Sequence, residues 1–171
     1  MHAKRAVLRD GLVAGLVGAG SVALWFLVVD AIAGRAFFTP AVLGSAVFSG
    51  LPDPSTVVIS VQPVLAYTAV HTLAFVIVGV IASFLLAEAE KDPRVIWLLV
   101  EFFVVFEIGF YGAVALLLTP LLAELAWINV AVGNLIAAGA MGAYFWRGRS
   151  VLAPAPASAD PAEAPASGMS P

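Results

Sequence analysis

The sequence predicts an all-α integral membrane protein: a four-helix bundle with a short interfacial helix in its outer loop and a disordered C-terminal tail. Three observations predict it. Of 171 residues, 62% are hydrophobic and 11% charged, whereas soluble domains average about 25% charged, so polar side chains are too few to cover a water-facing surface. Four apolar runs reach the roughly 20 residues that cross about 30 Å of hydrocarbon. The layout of those runs gathers Lys4, Arg5, Arg9, Lys91, Arg94, Arg147 and Arg149 on one side and leaves only Arg35 on the other. By the positive-inside rule both termini are then cytoplasmic, in a multi-pass protein of the cell inner (plasma) membrane.

The elements follow in order. Residues 1–10 form a basic cytoplasmic N-terminus, and the transmembrane domain runs over 11–146. The first span, about 11–33, carries Gly11, Gly15, Ala19 and Ala23 at four-residue spacing, a small-residue stripe that lets another helix backbone approach closely. Such a stripe serves packing within the chain or homodimerisation. Asp30 falls near the same face and so points inward. A cleaved signal peptide ending at Ala31-Ile32-Ala33 is the competing reading, but the run from Leu12 to Val29 exceeds a usual signal-peptide core.

The outer loop is too apolar to be simply solvated. Thr39-Pro40 reads as a helix cap followed by proline at the first helical position, and Gly50 as a stop. The helix between them, about 40–49, is too short to span, so an interfacial plug is favoured over a re-entrant loop. The second span, about 63–88, opens on Pro63. The third, about 95–118, holds Glu101 and Glu107. The fourth, about 120–146, begins at Thr119-Pro120 and has its own small surface in Gly133, Ala137, Ala138 and Gly142. Residues 147–171, rich in Pro, Ala and Ser beyond Arg149, form a disordered cytoplasmic tail.

The polar residues within the spans are the candidate functional residues. Glu101 and Glu107 are six positions apart, which turns them roughly 120° from each other on a helix and removes them as a carboxylate pair. Glu101 lies near the inner interface, on one face with Trp97 and Arg94, and reads as a separate inner carboxylate. Glu107 is deep, where a central charge costs about 2.5–3.5 kcal/mol and demands a partner or a proton. Counting from the outer face puts His71 at a similar depth. Tyr67 and Thr68 share the His71 face, Tyr111 shares that of Glu107, and Asn129 and Asn134 lie on the outer half of the fourth span. With Asp30 and Arg35 at the rim, all four helices send polar groups into the outer half.

Such a constellation is read first as a structural network that fixes helix register, in a non-enzymatic accessory or structural protein. The alternatives are a proton-coupled small-solute or ion pathway with His71 titrating against Glu107, and a metal- or haem-binding redox protein using the same two residues. No H-x-x-x-H or E-x-x-H spacing supports a metal, and no cofactor is implied. Hydrolytic chemistry lacks a serine nucleophile or glycine-rich oxyanion loop near His71. The chain has no cysteine and a net charge of −3, which excludes thiolate chemistry and argues against nucleic acid. Its partners are the lipid bilayer and either a second copy or a larger membrane complex.

The stretch DAIAGRAFFTPAVLGSAVF, with Gly34, Arg35, Phe37, Thr39, Pro40, Leu43 and Gly44 in a G-R-x-F-x-T-P-x-x-L-G pattern, resembles small four-span bacterial membrane proteins of uncharacterised function. The likeness covers about 19 residues and the four-span layout. It implies that the outer loop is functional surface and transfers no activity.

Overall fold

The computed structural model describes residues 2–50, 56–117 and 127–152. They form five α-helices: α1 (His2–Ile32), α2 (Phe38–Ser49), α3 (Val61–Ala89), α4 (Ile96–Leu117) and α5 (Trp127–Leu152), with a 3₁₀ turn at Pro93–Val95 before α4. Among the described residues there is no strand. Four of the helices are long and apolar enough to cross a membrane, and α2 is too short.

Several boundaries move. α1 takes in the basic segment that precedes the first apolar run, and α5 continues past residue 146 to Leu152. The expected start at Thr119-Pro120, and the tail beyond Leu152, lie outside the described residues. α2 begins at Phe38, so Thr39 stands inside the helix and is not its cap; Phe37 holds the cap position with φ 67°. The expected stop at Gly50 is present, with φ 86°.

α1 ends in a Schellman motif. Gly34, at φ 71°, is the left-handed residue that lets the Gly34 N–H reach Ala31 O at 3.0 Å and the Arg35 N–H reach Asp30 O at 2.9 Å. The chain therefore reverses at once and lays α2 against the start of α3, where Gly44 sits so close to Pro63 that a side-chain carbon would lie 2.7 Å from the Pro63 carbonyl carbon. Val42 and Leu43 are buried there, with Phe38, Val57 and Tyr67 around them.

The main core is centred on α1. Ala14, Ala19 and Val22 pack with Phe75 of α3 and with Ala137 and Met141 of α5. Contact between α1 and α3 is backbone to backbone: a Cβ on Gly11 would stand 2.6 Å from Val80 Cα, one on Gly15 2.6 Å from Val76 Cα, and one on Gly79 2.8 Å from Gly15 Cα. The small stripe thus packs within the chain at Gly11, Gly15 and Ala19. It does not do so at Ala23, which is exposed, because α1 and α3 have parted by that level. The fourth-span surface divides likewise. Gly133 and Ala137 are buried, whereas Ala138 and Gly142 are exposed and face away from α1.

α4 stands at the edge. None of its described side chains is buried, and between it, α3 and α5 lies a cavity of about 280 Å³ lined by Val78, Phe103, Phe106 and Met141. The bundle is an α1–α3–α5 trio with α4 alongside.

Candidate functional site

The polar side chains divide by helix pair. At the α2 end, Asp30 is buried, and its carboxylate accepts from the Thr39 N–H at 2.7 Å and the Thr39 hydroxyl at 2.8 Å. Phe37 offers no side-chain acceptor at the cap position of α2, so a carboxylate from α1 does the capping and places its negative charge at the positive end of the helix dipole. Arg35 lays its guanidinium 3.8 Å from the centre of the Phe38 ring, a cation–π contact at the same rim.

Lower down, His71 of α3 sets Nε2 3.3 Å from Ala19 O of α1. Its ring is stacked on Tyr67 at 5.5 Å and tilted against Phe75 at 4.8 Å. Glu107 of α4 hydrogen-bonds with Asn134 of α5. Depth matching along the spans pairs His71 with Glu107, but the structure gives each a separate partner. Glu107 Oε1 is buried without a hydrogen-bond partner among the described residues. The Tyr111 hydroxyl donates to Trp127 O at 2.9 Å, and Asn129 takes part through its backbone carbonyl, which accepts from Trp25 Nε1 at 2.9 Å. Glu101 is exposed and stands apart, as does Trp97 beside it. Thr68 turns its hydroxyl onto Val64 O of its own helix at 2.7 Å.

Two of these contacts escape sequence reasoning. Trp25 sits among apolar neighbours in α1, and Ser83, whose hydroxyl donates to Val7 O at 2.8 Å, sits at the far end of α3. The available signal for Ser83 was its spacing: it lies one turn beyond Gly79, on the face that meets α1.

No protein-family model matches the chain, and neither do curated proteins or solved structures. The residues of the G-R-x-F-x-T-P-x-x-L-G stretch nevertheless have individual structural jobs: Gly34 turns the chain, Thr39 receives Asp30, Leu43 is buried and Gly44 meets Pro63.

Two cavities flank the His71–Tyr67 ring pair, and both rings line both. The larger, about 530 Å³, lies where α1 and α3 part, under the Phe37–Pro40 segment. The smaller, about 170 Å³, is bounded by Tyr111, Trp127 and Asn134. Among the described residues no three His, Cys, Asp or Glu side chains converge as a metal site would require.

Proposed function

We propose that the protein is a non-enzymatic accessory or structural protein of the inner membrane, crossing it four times with both termini cytoplasmic. One observation carries this reading. Among the described residues, the polar side chains that bond between helices each go to one neighbour, and mostly to its backbone: His71 and Ser83 tie α3 to α1, Trp25 ties α1 to α5, Asp30 ties α1 to α2 and Tyr111 ties α4 to α5. A catalytic or transport site needs such groups to converge on one point that a substrate can reach. Here they are dispersed along the bundle as separate ties, which fix helix register at about 0.6 kcal/mol each.

The second reading, a proton pathway, is favoured by one observation, the unpartnered Oε1 of Glu107 beside Asn134. Proteoliposomes separate the two. Under an imposed pH gradient the structural reading expects wild-type protein to leak no faster than empty vesicles, with Glu107→Gln and His71→Gln unchanged. Wild-type proton flux that disappears in a folded Glu107→Gln variant would overturn it in favour of the pathway.

A further inference from the structure

The larger cavity has the features of a ligand site that the structural reading leaves unused. α1 and α3 are in backbone contact at Gly15 and Gly79 and are still joined at Ala19 by His71, but the flank of α1 at Gly20 and Ala23 is uncovered: an added Cβ on Gly20 would meet no atom within 4 Å. The resulting slot of about 530 Å³ lies within the 300–1,000 Å³ range of small-molecule sites, and like them it is apolar with a few polar groups. It is also elongated. Its α1 wall runs from Leu16 to Leu27, about 17 Å at 1.5 Å per residue. That is close to the depth of one leaflet, half of about 30 Å. Leu16 and Leu24, which line it, are 54% and 62% exposed, so the slot opens sideways, toward the lipid in a membrane-spanning chain.

The polar groups define what such a molecule must carry. Ala19 O can only accept, so His71 Nε2 bears the hydrogen of that bond. In the neutral ring Nδ1 is then a lone-pair acceptor and calls for a donor. The Tyr67 hydroxyl, one helical turn away on a ring stacked at 5.5 Å, both donates and accepts. A hydroxyl meets both needs, donating to Nδ1 and accepting from the tyrosine. A carboxylate offers no hydrogen to Nδ1, and a plain alkyl chain answers neither group.

We propose that this slot binds an elongated, membrane-dissolved alcohol, with its chain along Ala19, Gly20 and Ala23 and its hydroxyl at the Tyr67–His71 pair. The proposal goes beyond the structural reading, and the flux experiment bears on neither the slot nor its occupant.

The test uses full-length protein in proteoliposomes and a photoactivatable diazirine derivative of hexadecanol, with cross-links mapped by mass spectrometry. Its methyl ether serves as the matched probe without the donor. The expected result is labelling concentrated on residues 19–27 and 64–72, displaced by excess hexadecanol and preferred about tenfold over the ether. Gly20→Phe fills the slot and should abolish that labelling; Ala23→Phe does the same from one turn further along. Tyr67→Phe, which disturbs no helix tie, should weaken labelling by alcohol and ether alike while leaving the alcohol preferred, because only the alcohol has a hydrogen to give His71 Nδ1. Labelling spread evenly over lipid-facing positions such as Val104 and Ile108, or labelling untouched by both filling variants, overturns the site. Equal labelling by alcohol and ether in the wild type overturns the hydroxyl recognition.

Discussion

Asp30 gives both carboxylate oxygens to one residue, the Thr39 amide and hydroxyl, and does so from a different helix. An ordinary cap belongs to the residue preceding its helix, and losing one costs about 0.5–2 kcal/mol. Here the same bond also holds α2 to α1. Asp30→Ala should therefore lower the thermal stability of detergent-solubilised protein by at least the upper part of that range. Asp30→Asn, which still accepts from the Thr39 amide, should lose clearly less. Equal losses in the two variants would mean that the charge at the helix end matters and the hydrogen bonds do not. His71 makes a contrasting point at this scale: one ring nitrogen is a tie to Ala19, while the ring itself lines the slot.

At the scale of elements, the glycines at the α1–α3 crossing decide how near two helices come. Gly79→Leu should prevent the bundle from forming, because its side chain would meet the α1 backbone at Gly11 and Gly15, which cannot yield as a flexible side chain does. Gly142→Ala meets nothing within 4 Å and should leave the melting temperature within about 2 °C of wild type, since surface substitutions usually stay within ±0.5 kcal/mol. Thermal denaturation with size-exclusion profiles in detergent checks both. The stripe Gly11–Gly15–Ala19 was legible as a packing face because four-residue spacing keeps side chains on one side of a helix. Its end was not legible. Spacing describes one helix alone, and Ala23 is left exposed by where the other helix goes. Asp30 was read correctly as inward-facing, but Thr39 was misread as a cap. The left-handed Phe37 shifts the helix start two residues earlier, and no residue type announces that a bulky aromatic will adopt a positive φ.

At the scale of the molecule, the four long apolar helices follow directly from composition and run length. The expected charge asymmetry is testable on the whole chain. Alkaline phosphatase fused after residue 152 should be inactive in a bacterial host and active when fused within 51–55. A fluorescent protein should give the opposite result. Activity at both positions, or the reverse pattern, would overturn the cytoplasmic placement of the termini. What could not be read at this scale is which polar group meets which. Depth counting puts His71 and Glu107 at one level but says nothing of direction around the bundle axis, and α4 turns Glu107 toward Asn134 of α5.

The crossing of α1 and α3 has a mechanical consequence. Where two rods touch along part of their length and diverge beyond it, the last point of contact is a fulcrum, here Ala19 against His71. From Ala19 to Asp30 the lever arm is about 17 Å, so each degree of rotation about that contact moves the far end by about 0.3 Å. α2 bridges the open jaws, fastened to one by Asp30 and to the other by Gly44 against Pro63. The gape of the jaws is thus set by a twelve-residue crossbar whose first residues roof the slot, so a displacement of the crossbar should change the width of the slot.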